Sequence, residues 1–204
     1  KKEKIIVACA VGHLYNLREK EKKGWVYPIF SLEWAPTYET NKSSAYTKNY
    51  LLLIQKLSKE AKKFVIATDY DVEGEVIGLN IIRFACGQKD AHRMKFSTLT
   101  KDELIDSYAN AANHLDWLQA EAGETRHKLD WLFGINLSRA LTLAVKSTGH
   151  FRILSSGRVQ GPALKILSDR EKEIKKFKSE PYWEIFLDGL IHNEKIKAQH
   201  KADK

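Results

Sequence analysis

The chain has almost no cysteine: two in 204 residues, Cys9 and Cys86, far apart and in apolar surroundings. That excludes a disulfide framework and points to buried free thiols in a reducing cytosol. Cys9 and His13 are four apart, but no second Cys/His pair with ligand spacing follows, so the spacing gives no zinc site. Long apolar runs are missing too. None approaches the ~20 residues that span a bilayer, and the start has no signal-peptide layout; the expected location is cytoplasmic, with no membrane partner. Internal repeats and low-complexity linkers are likewise absent. What remains is 43% hydrophobic and 29% charged, a globular composition.

Carboxylate, by contrast, is concentrated. Asp69-Tyr70-Asp71-Val72-Glu73-Gly74-Glu75 places four acids in seven residues, directly after the apolar run Phe64-Val65-Ile66-Ala67-Thr68. Like charges this close repel unless a solvated loop or a bound cation accounts for them. The next run, Val76 to Ile82, reads as a buried helix. A strand that ends in carboxylates and re-enters a helix puts those oxygens at the carboxyl edge of a sheet, where open α/β sheets build their sites. Oxygen donors without nearby Cys or His suit Mg²⁺ before Zn²⁺. An EF-hand would also use Asp69, Asp71, Glu73 and Gly74, but its twelfth position is Asn80 inside an apolar stretch, and the lead-in is strand-like. The calcium loop is rejected.

The net charge of +8 is uneven. Residues 123–178 carry twelve Lys/Arg against five Asp/Glu, whereas residues 1–122 carry eighteen against sixteen. One module holding a cation beside another holding a polyanion, with nucleic acid the leading candidate, fits this division. The alternating signs of Asp169 to Glu173 fit a solvated helix face instead.

Along the chain, Ile5 to Val11 reads as a buried strand ending at Gly12-His13, and residues 20–48 as loop. Leu51, Ile54, Leu57 and Ala61 predict an amphipathic helix over 50–63. Phe64–Thr68 is a second strand, 74–85 a helix and Arg93–Ser97 a third strand; Thr100 and Glu103 form a capping box before another helix. This alternation implies a parallel sheet with crossover helices. After about Asn113 the pattern changes: Leu129, Phe133, Leu137, Leu141 and Val145 recur every four residues, a helical stripe ending at Gly149. A second helix begins between Gly157 and Pro162, Ser179-Glu180-Pro181 breaks it, and strand-like structure starts at Tyr182.

The segment Ala67-Thr68-Asp69-Tyr70-Asp71-Val72-Glu73-Gly74-Glu75 resembles the metal-binding motif of Toprim domains, found in topoisomerases, primases and some nucleases. Leu154-Ser155-Ser156-Gly157-Arg158-Val159-Gln160-Gly161-Pro162 resembles a signature segment of type IA DNA topoisomerases. Arg126 to Gly134 with Leu137-Ser138-Arg139-Ala140, and Val11-Gly12-His13-Leu14, resemble two further family segments, in family order. Asn136 to Leu141 looks closest to the archaeal enzymes or the topoisomerase III branch. The resemblance implies an α/β fold: a Toprim (Rossmann-like, mainly parallel) module over 1–112, a mainly helical DNA-binding part over 113–180, and the start of a β-containing domain over 181–204. It implies Mg²⁺-dependent cleavage of one DNA strand, strand passage and religation, by a parent enzyme of which this chain is a fragment partnered by the remainder.

On this resemblance Asp69, Asp71 and Glu73 would hold Mg²⁺. His13, Arg126, His127, Asp130, Ser155, Ser156, Gly157, Arg158, Val159 and Gln160 would contact single-stranded DNA. Taken on their own residues, His13 also fits a hydrogen-bonded strand-end histidine, Arg126 and Asp130 fit a helical i,i+4 salt bridge, and Ser155 to Gln160 fits a capped turn. His127 stands where the bacterial branch often has a second arginine. Two family features are not found: the Glu-Lys-Pro strand, and a tyrosine in Tyr-x-Arg-Thr-like context. The chain alone is therefore expected not to cut DNA. A Toprim nuclease or primase, a reverse gyrase's topoisomerase module and a metal-dependent single-strand-binding module are the alternatives.

Overall fold

The structure, a computed structural model, describes residues 4–22 and 24–200. Alternation in Tyr15-Asn16-Leu17 buries Tyr15 and Leu17 and exposes Asn16, as a strand with one packed face requires. This strand, β1 (Tyr15–Glu19), pairs antiparallel with β2 (Leu32–Pro36), with Leu17 opposite Trp34. The sequence pattern places β2 within the loop expected over 20–48 and assigns no element to β1. The strands are short and their connection is long, so no tight-turn signal announces the hairpin. A short helix, α1 (Thr37–Thr40), follows; Thr37 donates through its amide to Leu14 O (2.9 Å) and through its hydroxyl to His13 O (2.7 Å). His13 is thus fixed through its backbone at the edge of the hairpin.

Helix α2 (Thr47–Ser58) buries Leu51 and Ile54 as its periodicity predicts. It stops short of Lys63, because Lys59-Glu60-Ala61-Lys62-Lys63 offers no apolar face to pack. β3 (Val65–Ile66) then pairs in parallel with β4 (His92–Arg93) across a crossover made of α3 (Val72–Asn80) and one π-helical turn, Ile81–Ala85. The α3 unit is mostly apolar and largely buried, with Arg83 and Phe84 left exposed at its end. Leu79 and Ile82 pack with Ile66, Ala91, Leu115 and Ala120. Ile81 packs with Leu14, Tyr15, Leu51 and Ile54.

Further sequence expectations are corrected, among them the burial of both thiols, since Cys9 is exposed and Cys86 only partly buried. Ile5 to Val11 is not a buried strand: Ile5, Ile6 and Val7 are exposed, and the segment pairs with no strand among the described residues. An apolar run becomes a core strand only where a neighbour pairs with it and a layer covers it, and neither is present here. The capping box does not form either. α4 (Lys101–Ala109) begins at Thr100 without a side-chain cap, and Glu103 turns back to accept from the amides of Ser97 (2.6 Å) and Thr98 (3.2 Å) and from both hydroxyls. Those bonds hold its carboxyl down at about 2.

Helix α5 (Trp117–Ser147) starts on an Asp116 cap that accepts from Gln119 N. It lies against α3 at Gly123, where a Cβ would stand 2.3 Å from Val76 Cγ2 and 2.8 Å from Val72 O. Its later stripe is less covered than the periodicity predicts: Leu129, Phe133, Leu137 and Leu141 are 41–47% exposed. The chain divides into two compact units, Lys1–Gly161 and Pro162–Lys204. α6 (Gln160–Lys176) carries Pro162 in its first turn and solvated ion pairs such as Arg170–Glu173. The second unit ends in a hairpin of β5 (Phe186–Ile191) and β6 (Glu194–Gln199), turned by His192 and Asn193 at positive φ. No helix among the described residues is long and apolar enough to cross a membrane.

Candidate functional site

Each of the four clustered acids has its own task. Glu75 is fully buried and pairs with Arg93, also fully buried, at 2.7 Å. Its second oxygen accepts from Asp116 N at 2.8 Å. The remaining Arg93 donors go to Thr68 O (2.7 Å), Met94 O (2.9 Å) and Asp69 O (2.7 Å). One guanidinium therefore ties the end of β3 to the strand beside it and fixes the backbone from which Asp69 projects. Asp71 caps α3 by accepting from Gly74 N at 2.7 Å, and Thr68 Oγ1 donates to Gly74 O at 2.7 Å. The turn is held from both ends.

Asp69 and Asp71 remain exposed. They line an open groove with Tyr70, Lys95, Phe96 and Ser97. Tyr70 donates to Asp116 Oδ2 at 3.1 Å, and Lys95 lies over its ring at 4.7 Å. The bond to Tyr70 is the main reason the Lys95 ammonium is held above its ordinary range. Gly74 makes the tight turn possible: a Cβ would meet Asp69 O at 2.1 Å, a backbone atom that Arg93 prevents from moving. Gly74→Ala is therefore expected to cost about 1–3 kcal/mol in urea unfolding. A loss under about 0.5 kcal/mol would show that the carbonyl can yield.

Glu73 points away from this groove. Its Oε2 lies 2.8 Å from His127 Nε2 and 3.2 Å from His13 Nε2, and its Oε1 lies 3.5 Å from Arg126. The two imidazoles stand 4.9 Å apart, centre to centre. Burial first, then the neighbouring His127, pushes the His13 pKa below its ordinary value, against the pull of Glu73. A line of charge continues outward. Arg126 Nε is 3.8 Å from Asp130 Oδ2, and Asp130 accepts from Arg158 Nε (2.6 Å) and Nη2 (3.3 Å). The Arg158 bond holds the Asp130 carboxyl below the usual carboxylate range. Both partners are exposed to solvent screening, so the value of the pair is positional.

Among the described residues, the side chains that converge closely enough to grip one ion are His13, Glu73 and His127. Asp69, Asp71 and Glu73, grouped by the sequence, do not converge in that way. Arg126, Asp130 and Arg158 are joined as a chain, with Arg126 and His127 adjacent on α5. Ser155 lies within 3.4 Å of Gln160 Oε1, Ser156 is held to α5, Gly157 is partly buried, and Val159 projects into solvent.

Sequence reasoning missed Arg93, whose signal was an arginine in a short strand segment, between His92 and the apolar Met94. It also missed Ser138 and Thr142, hydroxyls four apart on α5. Ser138 accepts from Ser156 N (3.0 Å), and Thr142 accepts from Leu154 N (3.0 Å). Together they fasten the 154–156 segment along the helix. Asn136 likewise holds Ile29 through both backbone groups, at 2.7 and 2.9 Å.

Comparison with known proteins adds an independent line. A Toprim domain model matches residues 1–99, and a DNA topoisomerase model matches residues 114–204. The chain is 47% identical over 203 residues to DNA topoisomerase 1 of Methanocaldococcus jannaschii, covering 99% of this chain and 26% of that protein. It is 48% identical over 205 residues to DNA topoisomerase 1 of Pyrococcus furiosus, covering 99% and 19%. To DNA topoisomerase 3 of Bacillus licheniformis it is 33% identical over 201 residues, covering 92% and 26%. The chain spans roughly a fifth to a quarter of the length of these curated relatives.

Proposed function

This chain belongs to the type IA DNA topoisomerase family, and from that premise we propose that it supplies the metal-holding and strand-binding part of an enzyme that relaxes DNA by Mg²⁺-dependent cleavage, strand passage and religation of one strand. In this reading residues 1–112 are the Toprim module, 113–180 the start of the helical DNA-binding module, and 181–204 the beginning of a β-containing one. The observation that carries it is the pair of exposed carboxylates, Asp69 and Asp71, on a turn whose backbone is clamped by the buried Arg93–Glu75 pair. Oxygen-only donors on a rigid support suit a hard cation that keeps part of its water shell. Asp69 and Asp71 would hold Mg²⁺, while Glu73, the third acid the sequence groups with them, is engaged by His13 and His127; bound at the two aspartates, the ion would neutralise charge at the phosphodiester.

The other residues act by position. Arg126 and Arg158 bind phosphate, and Asp130 keeps both guanidinium groups aligned between the acidic turn and the 155–160 segment. Ser155, Ser156, Gly157, Val159 and Gln160 flank the start of α6, where backbone amides favour phosphate. His13 and His127 border the strand's path beside Glu73. Tyr70 is committed to Asp116 and Lys95 and is not the nucleophile. That tyrosine is assigned to the rest of the enzyme, so the chain by itself is not expected to cut DNA.

The test is relaxation of negatively supercoiled plasmid by the full-length protein that contains this chain. Relaxation in Mg²⁺ and none in EDTA is expected; equal rates in both would overturn the proposal. Arg158→Ala is expected to weaken single-strand binding and to reduce the slope of log K against log salt by about 0.7 for each phosphate no longer neutralised. An unchanged slope would remove Arg158 from the DNA-binding surface.

A further inference from the structure

We propose that His13, Glu73 and His127 form a second divalent-cation site, one that takes a borderline transition ion such as Zn²⁺ or Co²⁺ rather than Mg²⁺. Sequence spacing cannot reveal this group. Its members come from the segment just before β1, the first turn of α3 and the middle of α5, and the fold alone brings them together. Their three ligand atoms lie within 4.8 Å of one another.

The geometry is that of a three-ligand site with an open position. Both histidines present Nε2 to the same oxygen, Glu73 Oε2, at 3.2 and 2.8 Å. Ligands about 2.0–2.1 Å from a tetrahedral ion stand about 3.3 Å apart, so the two edges at Glu73 need only a few tenths of an ångström of widening, and the third edge, between the histidines, lies within 4.8 Å. Arg126 occupies Oε1 at 3.5 Å, which leaves Glu73 to bind through Oε2 alone. The other ring nitrogen of His13, Nδ1, is buried without a partner. His13 Nε2 faces the Glu73 carboxylate, so a bound cation would take the place of the proton between them. Trp34 lies tilted against His127, its ring centre 5.8 Å away, walling one side. The three ligand side chains keep 22–38% of their exposure, so an ion and a completing water have access from solvent.

Two imidazoles and one carboxylate select against Mg²⁺, which prefers oxygen, and follow the usual order favouring Zn²⁺ and Co²⁺. The site stands on these contacts and not on the topoisomerase reading.

Co²⁺ titration followed by its visible d–d absorption tests the proposal. One Co²⁺ per chain is expected, displaced by Zn²⁺ but not by millimolar Mg²⁺. His13→Gln and His127→Gln should each weaken binding about tenfold or more, whereas His114→Gln, at an exposed histidine paired with Asp90, should leave it unchanged. A wild-type measurement covers the case of unstable variants: Zn²⁺ should slow diethyl pyrocarbonate modification of His13 and His127 and leave that of His114 unaltered. Absence of Co²⁺ absorption, absorption that survives both histidine variants, equal modification rates with and without Zn²⁺, or loss of the signal only in Asp69→Asn would each overturn the site. None of these readouts requires DNA relaxation, so the two proposals fail separately.

Discussion

Arg93→Met is expected to lower the free energy of unfolding by about 3–5 kcal/mol, the cost of leaving one charge of a buried pair without its partner. Glu75 has no access to water and would keep only the amide of Asp116. The carbonyls of Thr68, Met94 and Asp69 would lose their donor in the same step. Adding Glu75→Leu should restore part of the loss, since replacing both ions with apolar groups removes the stranded charge. Restoration should stay incomplete, because the three carbonyls remain unpaired. Urea unfolding of the two single variants and the double variant measures this cycle. A loss below about 1 kcal/mol in Arg93→Met would mean that water reaches the pair and that the turn is not clamped.

The second large effect is on activity. Asp69→Asn together with Asp71→Asn in the full-length protein should reduce Mg²⁺-dependent relaxation on the order of a hundredfold or more, the scale on which a single electrostatic contribution to a transition state is felt. Folding should survive. The Asp69 side chain is exposed, and Asn caps a helix about as well as Asp, so the bond from Gly74 N to residue 71 persists. Charge is removed while shape is kept. Relaxation at the unaltered rate, with the circular dichroism of the folded protein, would refute the assignment of these carboxylates.

Much of the fold was legible because local signals and burial agree. The four-residue spacing from Leu129 to Val145 marks α5, Pro162 marks the first turn of α6, and the apolar run after Glu75 marks a largely buried helix. The β1–β2 hairpin was not legible, since its long connection carries no turn signature, and Ile5 to Val11 misled because hydrophobicity does not reveal whether a partner strand is present. At the site, the acidic turn and the arginines of α5 could be picked out by residue type. Their partition could not. Nothing in Asp69 to Glu75 says that Glu75 is spent on a buried arginine eighteen positions on, or that Glu73 faces two histidines. The first pairing comes from α3 packing on β4, and the contact with His127 from α3 crossing α5 at Gly123; neither leaves a periodic trace.

Mn²⁺, an oxygen-seeking paramagnetic stand-in for Mg²⁺, gives the most direct test when its broadening of backbone amide signals is mapped along the chain. The expected result is broadening centred on residues 68–72 that disappears in the Asp69→Asn, Asp71→Asn variant. Broadening centred elsewhere, or unchanged in that variant, would contradict the account.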